Sequence, residues 1–297
     1  MDIPGIVCGF MAALFQSLSY VASRWFLKRS GGGPLQLLGI SHIWMGAVAL
    51  VLFPLLSGPS MPPLMAYLAP GFGAMSFYLI AQASLFLALR HTDSSRIAPL
   101  LGLKVFVLAL ISVVALHKVL NGWQWSAVAF SVGAVFLLNE SGERLPWVAM
   151  LAVWVTVLGY SLSDLCIKQL VVVLEPAGSK AALIGVCVTY IMGAGAGLPL
   201  ILFQRSEGGG RLWWMAAPYA AFWFVSMLFL YITFDRVGVV FGNIIQSTRG
   251  LMSIGLGVMV GRLGMIDIET RVTHLVVARR LTGAALMTAA IMLYLKA

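Results

Sequence analysis

Ten apolar runs dominate this chain: 4–26, 35–57, 64–89, 94–116, 123–139, 146–168, 181–203, 212–234, 237–260 and 279–296. Each is close to the roughly 20 residues that a helix needs to cross the hydrocarbon core of a bilayer. Connectors rich in helix breakers separate them: SGGGP at 30–34, SGPSMPP at 57–63, NG at 121–122, EPAGSK at 175–180 and RSEGGGR at 205–211. Gly and Pro there end helices at the interface, where water takes up the freed backbone groups. The stretch 262–278 is too polar to span and long enough for a short interfacial helix. The N-terminus has neither the basic region nor the small-residue cleavage site of a removable signal, so Ile3 onward reads as the first span. The expected fold is an all-α membrane protein with ten transmembrane helices.

Composition then removes several function classes. Only 10% of residues are charged and 61% are hydrophobic, against about 25% charged in a soluble domain. The net charge of +9 would suggest nucleic acid in a soluble protein. Here the charges sit in short loops, where they set orientation and meet anionic lipid headgroups. The expected surroundings are the bilayer and a small-molecule substrate, with no nucleic acid. The three cysteines, Cys8, Cys166 and Cys187, are scattered through apolar runs and read as packing residues. No metal-ligand spacing, phosphate loop or nucleophile elbow is present, so neither cofactor nor metal is expected, and a self-contained ATP pump is excluded. The run Arg90 to Arg96 holds Ser, His and Asp side by side on a connector. A catalytic triad depends on spatial roles and not on adjacency, so an enzyme is not expected.

The chain repeats itself. At an offset of 140, Tyr20 meets Tyr160, Ser23 meets Ser163, Lys28 meets Lys168, and Arg24 falls on Asp164. At an offset of 145, Lys104 falls on Arg249 within the fourth and ninth runs. Five spans per copy is odd, so the second copy must enter the membrane the other way up. The expected domains are residues 1–140 and 141–297, two five-helix inverted repeats, an architecture whose binding sites lie near the midplane between the halves.

Lys104 and Arg249 are the residues that most need explaining. Lys104 is about ten residues into its run, hence about 15 Å deep. A cation there costs roughly 2.5–3.5 kcal/mol on insertion scales and faces a partner or a wet cavity. Three readings stand: a substrate-binding cation, a structural ion pair, or a cation capping backbone carbonyls. Gln246 at i−3 and Ser253 at i+4 share the helical face of Arg249, and Asn243 extends that row by a turn. Such amides also serve simply as glue between helices. Asp164 is the intramembrane acid. The expected partner is Arg24, as a structural or coupling pair, although Asp164 could instead neutralise Lys104 or Arg249, or carry a coupling proton. Tyr20, Tyr160 and the deep Trp223 are candidate cavity residues, with lipid-facing or core packing as the alternative for Trp223. His42 reads as a hydrogen-bonded packing residue, and Gly193/Gly197 and Gly257/Gly261 as points of close helix approach.

The fourth run passes through HKVLNGWQW into the fifth, with Gln124, Trp125 and Gly133 in order. This pattern, with two five-span repeats, resembles the EamA-type members of the drug/metabolite transporter superfamily across nearly the whole chain. Where the family often has Glu at the end of the fourth span of each repeat, this chain has Lys118 and Arg262. The resemblance implies cytoplasmic termini. Charge counting implies the reverse: with the N-terminus inside, five basic residues would face inward (Lys118, Lys168, Lys180, Arg236 and Lys296) against twelve outside.

The function expected from all this is secondary transport of a small anionic or zwitterionic metabolite by alternating access, in a bacterial cytoplasmic membrane. The substrate would sit between the repeats on Lys104, Arg249, Gln246, Asn243, Tyr20, Tyr160 and Trp223. A lipid or polyprenyl-phosphate flippase is the alternative. A homodimer is compatible with the sequence.

Overall fold

The computed structural model describes residues 2–91, 100–114, 117, 119–138, 146–202, 209–262 and 274–296. Residues 263–273 of the polar stretch 262–278, Lys118 and most of the run from Arg90 to Arg96 fall outside that description, as do the side chains of Ser253, Gly257 and Gly261. Among the described residues the fold is all-helical. The helices are α1 (Ile3–Arg29), α2 (Pro34–Leu56), α3 (Leu64–His91), α4 (Lys104–Val114), α5 (Gly122–Leu138), α6 (Trp147–Val173), α7 (Ala181–Leu202), α8 (Gly209–Val237), α9 (Val239–Gln246), α10 (Arg249–Arg262) and α11 (His274–Leu295). Short 3-10 turns, Leu101–Leu103 and Glu175–Lys180, lead into α4 and α7.

Local chemistry accounts for the helix starts. The Asp2 carboxylate accepts from the Gly5 N–H at 3.1 Å, with Pro4 in the first turn of α1. At α5, the Gln124 N–H donates to Asn121 Oδ1 (2.9 Å) and the Asn121 N–H donates to Gln124 Oε1 (3.0 Å). This reciprocal capping box satisfies two otherwise orphaned donors. The glutamine of the Gln-Trp pair therefore acts as a helix starter.

Six helical segments are long and apolar enough to cross a membrane: Ile3–Arg29, Pro34–Leu56, Leu64–Leu85, Trp147–Val173, Glu175–Leu202 and Gly209–Val237. The four other expected runs fall on helices that are shorter, interrupted or basic. The fourth is described only from residue 100 onward and starts with a 3-10 turn. α5 has 17 residues. The ninth run breaks at Ser247 and Thr248 into α9 and α10, and α11 carries Arg279 and Arg280 near its start.

The dominant packing pairs are α1 with α8, α2 with α7, α3 with α6, and α5 with α11. Small residues permit the closest of these approaches. A methyl added at Gly46 would lie 2.3 Å from Ala194 Cβ, and one at Gly159 would lie 2.9 Å from Ala81 Cβ. Gly193 and Gly197 face His42 and the Gly39 carbonyl across the α2–α7 contact, so that pair does mark a close approach.

Both ends of the chain lie at the same end of the bundle. Asp2 pairs with Arg236 at the end of α8 (3.6 Å), and Phe241, just beyond, stacks on Tyr294 of α11 at 4.7 Å. Lys168 and Asp235 pair at this end too (3.5 Å).

Candidate functional site

The two deep cations occupy equivalent places in their helices. Lys104 is the first residue of α4, directly after the turn Leu101–Leu103. Arg249 is the first residue of α10, directly after the break at Ser247 and Thr248. Around that break the N–H groups of Thr248, Gly250 and Leu251 donate three residues back, to Ile245, Ser247 and Thr248. The Ser17 hydroxyl of α1 lies 3.0 Å from the Arg249 carbonyl and 2.8 Å from the Ala13 carbonyl of its own helix, and shares one proton between them. A cation buried among apolar helices calls for a countercharge or a polar partner. Two such placements point to negative charge nearby.

For Lys104 that charge is Asp164 of α6. The Lys104 ammonium lies 2.8 Å from Asp164 Oδ2, with both side chains more than nine-tenths buried. Asn243 of α9 donates to the same oxygen at 2.7 Å and uses its other N–H on the Val239 carbonyl at 2.9 Å. Asp164 is thus held by Lys104 and Asn243. The expected pairing with Arg24 is corrected here: Arg24 lies on the last turns of α1, whereas α4 starts beside Asp164 and delivers Lys104 to it.

Arg249 has no carboxylate within ion-pair distance among the described residues; its Nη1 donates to Gln16 Oε1 of α1 at 2.8 Å. Lys104, Asn243, Gln246 and Arg249 line one small cavity of about 10 Å³. That is space for about one water, against about 300–1,000 Å³ in ligand pockets, so in this state the cavity is nearly closed. Gln246 is 2% exposed and its amide nitrogen has no partner. The row Asn243, Gln246, Arg249 is therefore brought together, but not as one helical face. The chain breaks after Gln246, and the break keeps all three on the cavity.

Beyond Lys104 the site continues as aromatic rings. The ammonium is 5.8 Å from the Tyr160 ring centroid, and the Tyr160 hydroxyl donates to Gln82 Oε1. Tyr78 lies 6.0 Å from both Tyr160 and Trp223, and Trp223 contacts Tyr20 at 6.3 Å. The Trp223 indole N–H donates to the Tyr190 hydroxyl at 2.7 Å. Tyr20, Tyr160 and Trp223 thus belong to one cluster, joined through Tyr78. His42 is buried beside Tyr78 and Tyr190 and its Nδ1 bonds the Leu38 carbonyl at 2.8 Å. Gln16, Gln82 and Tyr78 escaped notice in the sequence. The signal existed for the amides, since each is the one glutamine in its apolar run.

A bundle of apolar helices with a charged, aromatic-lined interior defines a multi-pass integral membrane protein. Residues 3–140 match the EamA-like transporter family, the EamA type of the drug/metabolite transporter superfamily that the sequence resembles. The match ends two residues beyond α5. A crystal structure of another protein is similar over 98% of this chain and 96% of its own, with a TM-score of 0.68 and 13% identity. At that identity the likeness concerns the fold alone. No curated protein matches the sequence.

Proposed function

We propose that the protein is a secondary transporter that carries a small anionic or zwitterionic metabolite by alternating access. The proposed architecture is ten spans in two inverted repeats, 1–140 and 141–297, in a bacterial cytoplasmic membrane. The packing pairs support the repeat. With α9 and α10 counted as one span, exchanging the halves turns α1–α8 into α3–α6 and leaves α2–α7 and α5–α11 as they are. Interrupted helices beside a midplane site are also what such carriers use.

The observation that carries the reading is the cavity itself, lined by Lys104 and Arg249, with Asp164 the only carboxylate among the described residues paired to either. An anionic group supplies the missing countercharge, and the Arg guanidinium suits a two-pronged grip on carboxylate or phosphate. The aromatic cluster is positioned to cover the rest of the cargo. The test starts with a thermal-stability screen of the purified protein against metabolites sorted by charge, followed by uptake of the best stabiliser into proteoliposomes. Stabilisation by anions or zwitterions is expected, with uptake lost in folded Lys104→Ala and Arg249→Ala. Stabilisation by cations alone, or wild-type uptake in both variants, overturns the proposal.

A further inference from the structure

The cavity has a definite charge count. Among the described residues, Lys104 and Arg249 on its wall contribute two positive charges and Asp164, paired with Lys104, one negative, which leaves one positive charge. The remaining ion pairs among the described residues, Lys168–Asp235 and Arg236–Asp2, lie together at the end of the bundle that holds the chain termini. The two cations are not equivalent. Lys104 is committed to Asp164 at 2.8 Å, and Asn243 spends one N–H fixing that carboxylate. Arg249 meets only the neutral Gln16 oxygen. Next to it the Gln246 amide nitrogen, buried and without a partner, is a donor waiting for an acceptor. An unpaired buried donor is costly until it is satisfied.

We propose that Asp164 sets the valence of the cargo: by holding Lys104 it leaves the cavity one net positive charge, so Arg249 and Gln246 receive a single anionic group and dianions are rejected. This rests on the anion-transport reading above and adds a specificity-determining residue to it. The rejection is electrostatic. A monoanion brings the buried site to neutrality, whereas a second negative charge would sit uncompensated beside Asp164 in a medium that screens poorly.

The experiment uses the full-length protein in detergent and matched probe pairs: acetate with malonate, butyrate with succinate, benzoate with phthalate. Half-saturating concentrations are read from thermal shifts near neutral pH. Wild type is expected to prefer each monocarboxylate by about tenfold or more. Asp164→Asn frees Lys104, so the mono-to-dicarboxylate ratio should fall by about tenfold or invert. Asp164→Glu keeps the charge and should keep the wild-type sign of the preference. Equal affinities in wild type, or a folded Asp164→Asn with an unchanged ratio, overturn the valence assignment and leave the anion site standing. If no probe of either charge stabilises wild type, the anion site itself falls. Should Asp164→Asn not fold, the wild-type ratio alone decides.

Discussion

At the scale of single residues, the Lys104–Asp164 contact is a buried ion pair whose strength is specific to its company. Taking either member away leaves the other charge uncompensated, which typically costs about 3–5 kcal/mol; replacing both by apolar groups of similar size is often close to neutral. Lys104→Met and Asp164→Leu should each destabilise the protein by about that amount, and the double variant should recover most of the loss. Unfolding in mixed micelles, analysed as a double-mutant cycle, measures this. Additive losses would mean that the two groups do not interact. The presence of Lys104, Asp164 and Arg249 was legible in the sequence, because charges are rare in apolar runs. The pairing was not. Internal alignment sets Arg24 opposite Asp164 by position in the repeat, whereas the actual partner depends on which helix starts beside α6, and that is a matter of three-dimensional packing.

At the scale of elements, six of the ten expected runs fall on helices long and apolar enough to span among the described residues, but hydropathy registers only how long an apolar stretch is. It does not register the break at Ser247 and Thr248, since neither residue is Gly or Pro. At the break the Ser17 hydroxyl of α1 reaches the Arg249 carbonyl as well as its own Ala13 carbonyl, so Ser17→Ala should cost about 0.5–1.5 kcal/mol. Side-by-side thermal unfolding with wild type checks this, and an unchanged midpoint would remove Ser17 from the account of the break. The α2–α7 contact offers an internally controlled case. A methyl at Gly46 would meet Ala194 Cβ at 2.3 Å, whereas one at Gly195 of α7 meets nothing within 4 Å. Gly46→Ala should therefore destabilise by about 1–3 kcal/mol. Gly195→Ala should be neutral or stabilise by up to about 1 kcal/mol through helix propensity. Equal midpoints for the two variants would contradict the close approach.

At the scale of the whole molecule, the ends of the bundle differ in charge. The end that holds the chain termini carries Asp2 and Asp235 among its basic residues, and there they pair with Arg236 and Lys168. Arg24, Lys28, Arg29 and Arg211 lie where α1 ends and α8 begins, toward the other end. The positive-inside rule then favours termini away from the cytoplasm, against the orientation the family resemblance implies. A C-terminal alkaline phosphatase fusion should be active and a C-terminal green fluorescent protein fusion dark; the opposite pattern would show that the family's usual orientation holds. The packing pairs also fix an order of manufacture. α3 with α6, α2 with α7 and α1 with α8 nest like brackets. α1 is therefore without its main packing partner until α8 has been made. A fragment stopped after α5 holds four helices, α1, α2, α3 and α5, without their mates, so two half-length pieces should accumulate only when made together in one cell.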